Sequence, residues 1–218
     1  LSPFAMDDDA PFDTASPVAV VGAGAVGTAL ARRLVTGGVP VQAVLSRDPA
    51  DAQALADRVG ASVASDEWTA LPEGVRLVML CVPDDALPAV AEALAGVDHP
   101  WGRTIVGHTA GARTAAVLSP LAHEGAATLS FHPLQTYTAD TPPEAFDDIT
   151  IGVEGDPDAV AAGTALARTL GARPVVLTAR AKALYHCAAA LASNGLVALM
   201  AVVEELLAAA DVEGDGPS

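Results

Sequence analysis

The chain has 218 residues, and 51% of them are hydrophobic while only 4% are aromatic, which favours close-packed helices over a β-sandwich. Its 27 acidic residues outnumber its 11 basic residues, so the formal net charge is −16 at pH 7. A chain this acidic repels phosphate backbones, which excludes nucleic acid as a partner, and its length suits one good core plus a small second domain.

The first 16 residues predict an acidic, disordered leader. They contain neither the basic segment nor the apolar segment of a signal peptide. The two cysteines, Cys81 and Cys187, stand in apolar surroundings and are typical of small buried side chains in a reducing compartment. We therefore expect a cytoplasmic protein.

From Pro17 to Thr178, apolar strands alternate with helical patterns. The predicted strands cover residues 17–22, 40–48, 61–65, 76–83, 103–111, 127–135, 147–155 and 173–178. The predicted helices cover residues 23–38, 49–60, 84–96, 156–171 and 180–210. We expect Asp84 or Asp85 to cap the third helix. This alternation predicts an α/β fold with a doubly wound, mainly parallel sheet over residues 17–178, and a helical segment over residues 179–218.

A glycine-rich turn joins the first strand to the first helix. Gly22, Gly24 and Gly27 form the pattern G-x-G-x-x-G inside a βαβ unit, and that context makes the short motif informative. Gly22 permits the tight turn, and Gly27 lets the helix pack closely on the strand. Gly24, with the N–H groups of Ala25 and Val26, lets the backbone approach a pyrophosphate at the helix N-terminus. The pattern predicts a dinucleotide site.

The end of the second strand indicates which dinucleotide is bound. An NAD site places Asp or Glu there to accept a hydrogen bond from the ribose 2′-hydroxyl. This chain has Ser46 and Arg47 at that point, and both can contact a 2′-phosphate. The residues therefore favour NADP(H). The alternative is that the strand ends one residue later and that Asp48 faces the ribose.

Three further strands end in polar loops, and such ends form the ligand edge of a doubly wound sheet. We expect Val82 and Pro83 to line the nicotinamide ribose and Thr109 to contact the cofactor. The next loop carries His132, a candidate proton donor or substrate-orienting group. The same loops also carry His108, Arg113, Ser130 and Gln135. The histidines and cysteines show no metal-ligand spacing, so no metal is expected.

Residues 183–203 carry no formal charge, yet the helix that contains them has polar groups along one side. At 100° per residue, Lys182, His186 and Ser193 share one narrow stripe, while Asn194 lies on its flank. The pattern predicts an apolar helix with one face lining a cleft. The length would span a bilayer, but the polar groups and the preceding α/β domain argue against a membrane segment. We expect the apolar remainder to be buried in a homodimer.

Several motifs together resemble a known family, over Pro17 to about Ala210. They are VVGAGAVGTAL, CVPDDAL, GHTAGARTAAVLSPLAHEGA, SFHPLQTY, ITIGVEGD and KALYHCAAALASNGLVAL. They resemble the NADP oxidoreductases that pair a Rossmann-like domain with a C-terminal domain of unknown function. These enzymes belong to the superfamily of 6-phosphogluconate dehydrogenase, pyrroline-5-carboxylate reductase and prephenate dehydrogenase.

The resemblance implies a Rossmann domain, an all-helical domain that builds a homodimer, and an active site between the two. Lys182, His186 and Asn194 resemble, in chemistry though not in spacing, the Lys and Asn of hydroxyacid dehydrogenases. FHPLQ resembles the His-Pro loop of prephenate dehydrogenases, but their further His and Arg motifs are missing. The family's helical domain has several helices whereas this chain has one, so we expect that domain to be incomplete here.

These patterns leave three hypotheses. The first is an NADP(H)-dependent oxidoreductase that acts on a small carbonyl, imine or hydroxy acid, with Lys182 or His186 moving a proton and Asn194 orienting the substrate. The second is a non-catalytic NADP(H) sensor or scaffold on the same fold. The third keeps the oxidoreductase but replaces nicotinamide with a deazaflavin. The partners expected are a small-molecule substrate and a second copy of the chain.

Overall fold

The computed structural model describes residues 15–138 and 140–210. The predicted leader therefore lies almost wholly outside the described residues, as do the last eight residues of the predicted helical segment. The chain divides into two compact units, residues 1–182 and residues 183–218. Each unit is described by itself below.

The first unit is built on one eight-stranded sheet. Its strands are β1 (Val18–Val21), β2 (Val41–Leu45), β3 (Val63–Ser65), β4 (Leu77–Leu80), β5 (Ile105–His108), β6 (Ala127–Pro133), β7 (Thr150–Gly155) and β8 (Arg173–Val176). They lie in the order β3-β2-β1-β4-β5-β6-β7-β8. Every neighbouring pair is parallel except β6 and β7, which run antiparallel. The prediction of a mainly parallel, doubly wound sheet is confirmed.

The helices of this unit are α1 (Ala25–Thr36), α2 (Pro49–Val59), α3 (Leu87–Ala95), α4 (Ser119–His123) and α5 (Pro157–Thr169). A further helix, α6 (Ala179–Ala190), begins in it. α2 begins and ends where its sequence signals lie, because the Asp48 carboxylate caps it and Gly60 ends it in a left-handed conformation, with φ of 71°. The short helix α4 was absent from the sequence prediction.

Both faces of the sheet are covered. Val20, Met79 and Phe131 belong to the buried cluster under α1, α2 and α5. Val21 and Val106 belong to a second buried cluster under α3 and α4. Because both faces are covered, the central strands read as unbroken apolar runs rather than as alternating patterns. The polar side chains at the ends of these strands are therefore the ones that can reach a ligand or substrate.

One helix start differs from its prediction. α3 begins after Ala86, and no side chain caps it. Asp84 and Asp85 lie earlier, in the turn where the N–H groups of Ala86 and Leu87 donate to the carbonyl oxygen of Pro83. The prediction that Asp84 or Asp85 caps α3 is therefore wrong, because the turn satisfies these backbone groups itself. The Asp84 carboxylate stays available for other interactions.

The second unit continues the C-terminal helix. A π-helical turn, Leu191–Gly195, connects α6 to α7 (Leu196–Ala209), so the chain stays helical from Ala179 to Ala209. Large apolar side chains around its circumference are exposed, including Leu184, Val197 and Leu206. By length and composition this is the one helix among the described residues that could cross a membrane, a test that core helices of soluble proteins also pass.

Candidate functional site

The turn between β1 and α1 needs glycine at two positions for steric reasons. Gly22 has a φ of 101°, and a Cβ there would lie 2.6 Å from the carbonyl oxygen of Cys81. A Cβ on Gly27 would overlap the carbonyl oxygen of Gly22. A Cβ on Gly24, in contrast, would meet open space. Gly22 and Gly27 therefore serve packing, whereas the space beside Gly24 is available to a ligand.

The N-terminus of α1 faces this open space. Gly24 is its N-cap residue and supplies no side-chain cap. The first N–H groups of the helix, which include those of Ala25 and Val26, thus have no intrahelical acceptor. No acidic residue occupies the first turn, so the positive end of the helix dipole is not neutralised there. A phosphate group fits both the geometry and the charge of this position.

A cleft of about 550 Å³ opens beside this turn, within the size range of small-molecule sites. The residues that line it come from the segments that follow β1 to β4, including the first turns of α2 and α3: Gly22, Ala23, Gly24, Ser46, Arg47, Asp48, Asp51, Asp66, Trp68, Val82, Ala86 and Val90. The predicted phosphate-binding turn and the predicted 2′-phosphate contacts thus lie in one cavity. This is the ligand crevice that doubly wound sheets form at the carboxyl ends of their strands.

At the β2 end of the cleft, β2 stops at Leu45, so Ser46 and Arg47 are the first residues beyond it. Arg47 is exposed and makes no hydrogen bond or ion pair to any other described residue. Asp48 also lines the cleft, but its Oδ1 accepts a hydrogen bond from the N–H of Ala50 at 2.9 Å. Arg47 can therefore bind an anionic ligand at this end of the cleft, whereas the Asp48 carboxylate caps the N-terminus of α2.

The loops after β4 and β5 contact each other. Val82 lines the cleft, and Pro83 supplies the carbonyl that opens the turn before α3. The Thr109 N–H donates to the carbonyl oxygen of Leu80 at 3.1 Å. Burial raises the pKa of Cys81 to about 12, opposed by a hydrogen bond with the Thr109 side chain. Thr109 therefore joins the two loops, and Cys81 stays a neutral thiol.

His108, at the end of β5, is buried and has both ring nitrogens occupied. Nδ1 accepts a hydrogen bond from the N–H of Ala110 at 3.1 Å, which leaves Nε2 to donate to the carbonyl oxygen of Thr114 at 3.1 Å. Burial is the main cause that lowers the pKa of His108 to about 4, and the charge of Lys182 lowers it further. The neutral His108 side chain therefore stabilises the loop from residue 109 to residue 114 through two hydrogen bonds.

Lys182, the only lysine of the chain, is fully buried, and its Nζ has no hydrogen-bond partner among the described residues. Its side chain interacts electrostatically with the carboxylates of Glu154 and Asp84. Burial lowers the pKa of Lys182 to about 8, and these two carboxylates oppose that shift. A lysine with such a pKa can hold or release a proton near neutral pH.

His132 and Ser130 follow one another on the same face of β6. His132 is half-buried near the strand end, and its charge lowers the pKa of His108. Ser130 is fully buried, and its Oγ has no hydrogen-bond partner among the described residues. Opposite Ser130 in the sheet is Glu154, whose Oε2 accepts a hydrogen bond from the N–H of Ala115 at 2.8 Å. The structure thus gathers polar groups where β5, β6 and β7 meet.

His186, Ser193 and Asn194 belong to the second unit. His186 is half-buried, whereas Ser193 and Asn194 are exposed and form a hydrogen bond of 3.4 Å with each other. The π-turn around them advances by less than 100° per residue, so Asn194 lies nearer to the face of His186 than in an ideal α-helix. Their assignment as site residues remains a prediction.

Sequence reasoning missed several of these groups. Asp66 and Trp68 follow β3 and line the cleft. The apolar pattern of β3 is weak, so it did not indicate that the residues after it belong to the site. The apolar pattern around Glu154 predicts only a strand, although a carboxylate at an inward position of an apolar strand is itself a signal of a polar site. Among the described residues, no group of three or more His, Cys, Asp or Glu side chains is arranged to hold a metal ion.

The fold and cleft define a Rossmann-like domain protein. The family model for the Rossmann-like domain matches residues 9–133, more than half of the chain. The model named Domain of unknown function (DUF2520) matches residues 149–217. The chain therefore belongs to the Rossmann-like domain family, and the predicted pairing of this domain with a C-terminal domain of unknown function is confirmed. No curated protein matches the chain.

Solved structures share the fold. Protein BF3122 from Bacteroides fragilis is 23% identical with a TM-score of 0.75, and the match covers 91% of this chain and 74% of that one. Arogenate dehydrogenase from Synechocystis is 21% identical with a TM-score of 0.68, and the match covers 92% of this chain and 71% of that one. A reductive aminase from Aspergillus terreus, solved in complex with NADPH and ethyl-5-oxohexanoate, is 20% identical with a TM-score of 0.69. That match covers 92% of this chain and 68% of the aminase. At such identities the likeness establishes the fold alone.

Proposed function

We propose that this protein is an NADP(H)-dependent oxidoreductase that transfers hydride to or from a small carbonyl, imine or hydroxy acid. One observation carries the proposal: Arg47, without a partner among the described residues, lines the same cleft as the uncapped N-terminus of α1. This arrangement fits a dinucleotide whose pyrophosphate lies at Gly24 and whose 2′-phosphate meets Arg47 and Ser46. Reduced nicotinamide, when bound, would supply the hydride.

Lys182 is the best-supported proton-handling group. It is buried, its pKa lies near neutral pH, and its side chain interacts with groups at the ends of β4 and β7. In this proposal Lys182 gives a proton to, or takes one from, the substrate heteroatom. His132, His186 and Asn194 are proposed to orient the substrate. A structurally related enzyme, the reductive aminase from Aspergillus terreus, was solved with NADPH, which supports the choice of cofactor.

We also propose a homodimer formed through the C-terminal helix. Large apolar side chains are exposed along this helix, from Leu184 to Leu207. An exposed apolar surface of this extent marks an interaction site. A second copy of the same helix matches it in length and composition.

Tryptophan fluorescence tests the cofactor assignment directly. Trp68 lines the cleft, whereas Trp101 is buried in the core with its ring N–H bonded to the carbonyl oxygen of Val97. In a Trp101→Phe variant, saturable quenching by NADPH therefore reports binding beside Trp68. Trp68→Phe, which retains Trp101, should lose most of that signal. Absence of saturable NADPH binding in both fluorescence and calorimetry would refute the proposed function.

A further inference from the structure

The two sides of the cleft differ in chemistry. Trp68, Val82 and Val90 line one side, and all three are half-buried against the apolar cluster under α3 and α4. Asp48 and Asp51 line the other side, at the N-terminus of α2, which covers the opposite face of the sheet. The cleft therefore offers an apolar wall to a flat, uncharged part of a ligand, and this wall contains an aromatic ring.

Asp66 lies where the apolar wall begins. Leu45 on β2 is in register with Ser65 on β3, and the N–H of Ser46 donates to the carbonyl oxygen of Ser65 at 3.0 Å. Asp66, the next residue after Ser65, is therefore beside Ser46, which is proposed above to meet the 2′-phosphate. Asp66 and Trp68 are two residues apart and line the same cavity. Asp66 thus lies next to both the ribose end of the cleft and its aromatic wall.

The backbone around Asp66 is held by local hydrogen bonds. The N–H of Glu67 donates to Ser65 Oγ at 3.0 Å, which closes a turn directly after β3. A 3₁₀ turn, Trp68–Ala70, follows, and the N–H of Ala70 donates to the carbonyl oxygen of Glu67 at 3.1 Å. These bonds fix the positions of Asp66 and Trp68 before a ligand binds, which lowers the cost of binding.

Among the described residues, three carboxylates line the cleft, and their surroundings differ. Asp48 caps α2 through its bond to the N–H of Ala50, and Asp51 lies in the first turn of that helix, where the helix dipole stabilises its charge. The Asp66 carboxylate makes no hydrogen bond or ion pair to any other described residue. An ionised carboxylate only accepts hydrogen bonds, so Asp66 can bind an amino group of a ligand and disfavours a carbonyl oxygen.

We propose that Asp66 and Trp68 form the subsite for the adenine base of the dinucleotide, with the ring against Trp68 and the 6-amino group donating to the Asp66 carboxylate. This inference rests on the proposed binding of NADP(H) and names the residue that determines base specificity. Hypoxanthine has the same bicyclic shape as adenine but carries a carbonyl oxygen in place of the 6-amino group. The carboxylate repels that oxygen, so the subsite selects adenine over hypoxanthine.

Two pairs of ligands test the subsite by binding alone. NADP⁺ is compared with nicotinamide hypoxanthine dinucleotide phosphate, and AMP is compared with IMP, which present the same two bases without nicotinamide or 2′-phosphate. Calorimetry for the dinucleotides and ligand-observed NMR for the mononucleotides should show at least about fivefold tighter binding of the adenine member of each pair. Equal binding within the pairs, or tighter binding of the hypoxanthine members, would overturn the inference.

The two pairs also separate this inference from the proposed function. Binding of NADP⁺ without a preference for its base would refute the subsite and leave the proposed function intact. A preference for AMP over IMP in a protein that does not bind NADP⁺ would refute the proposed function and support the subsite. Binding of none of the four ligands would refute both.

Asp66→Asn connects the base preference to this residue. The asparagine amide can donate to the hypoxanthine oxygen as well as accept from the adenine amino group, so the two dinucleotide affinities should come within about twofold of each other. Asp51→Asn removes the same charge from the same cleft and should therefore change both affinities by one factor and keep their ratio. Both residues are exposed, so both variants should fold. An unchanged ratio in Asp66→Asn would contradict the assignment.

Trp68→Ala tests the aromatic wall. Stacking does not distinguish the two bases, so this variant should weaken NADP⁺ and its hypoxanthine analogue by the same factor, about fivefold or more. Trp68→Phe keeps an aromatic ring and should retain most of the affinity for both dinucleotides. Full NADP⁺ affinity in a folded Trp68→Ala protein would overturn the role assigned to Trp68.

Discussion

Gly27 lies so close to the turn before it that a Cβ at this position would overlap the carbonyl oxygen of Gly22, whereas a Cβ at Gly24 would meet only open space. Two glycines of one motif therefore have separate roles. Gly27 allows α1 to pack against the end of β1. Gly24 keeps the cleft open at the helix N-terminus.

These roles predict opposite phenotypes for two alanine variants. Gly24→Ala should fold with a melting temperature near that of the parent but bind NADPH at least about tenfold more weakly, because its Cβ occupies the phosphate position. Gly27→Ala should lose about 2 kcal/mol or more of stability, because the backbone must move. Thermal unfolding and calorimetry measure both effects. A Gly24→Ala protein with full NADPH affinity would exclude a phosphate from this position.

Arg47 should decide between the two nicotinamide cofactors. Its guanidinium has no partner among the described residues, and a charge-assisted hydrogen bond to a 2′-phosphate contributes about 1.5–3 kcal/mol. We expect NADPH to bind at least about tenfold tighter than NADH, and Arg47→Ala to erase most of that difference. Arg58→Ala, an exposed site on α2 outside the cleft lining, should leave it intact. Equal affinities in the parent protein would refute NADP(H) preference.

Lys182 should titrate as one resolvable group. Because the chain has a single lysine, isotope-labelled lysine gives one side-chain NMR signal. Its pKa should be about 8, since burial disfavours the ammonium form. Asp84→Asn should lower this pKa further, because the Asp84 carboxylate supports the charge. Asp85→Asn is the adjacent control and should not move it. A pKa near the ordinary value for lysine would contradict the burial.

The same shift makes stability depend on pH. Between pH 8 and about 10.5 the unfolded chain holds the Lys182 proton and the folded chain does not, so this residue adds stability as pH rises through that window. Lys182→Met should therefore gain about 1–3 kcal/mol over the parent at pH 7. The gain should shrink towards pH 10.5. Urea unfolding at several pH values measures it, with Arg180→Met as the exposed control on α6. A pH-independent difference would be the contrary result.

Association should depend on the exposed apolar side chains of α7. We expect a dimer in sedimentation at micromolar concentration, which Leu199→Lys weakens by about 2–3 kcal/mol because the charge would be buried. Val35→Lys also replaces an exposed apolar residue with lysine, but on α1, and it should not affect dimer formation. Vesicle flotation tests whether this apolar surface binds a lipid membrane instead of a second copy of the chain. A monomeric protein that floats with lipid vesicles would contradict the dimer.

Local patterns were sufficient to predict the glycine turn and the end of β2, both of which line the cleft. The turn at Gly22, the stop of β2 before Ser46 and Arg47, and the cap and end of α2 all follow from residues close together in the chain. Periodicity, turn chemistry and steric limits act over a few residues, so a sequence displays them directly.

The polar cluster depended on the tertiary structure. Ser130 and Glu154 are far apart in the chain and meet only because β6 and β7 pair antiparallel in one register, which a pattern of apolar residues does not specify. Likewise, Asp84 acts on Lys182 rather than on α3, because the turn after β4 satisfies its own backbone. The sequence by itself determined the Rossmann fold and the candidate nucleotide turn. Strand register and burial, which are long-range properties, decided which charges surround Lys182.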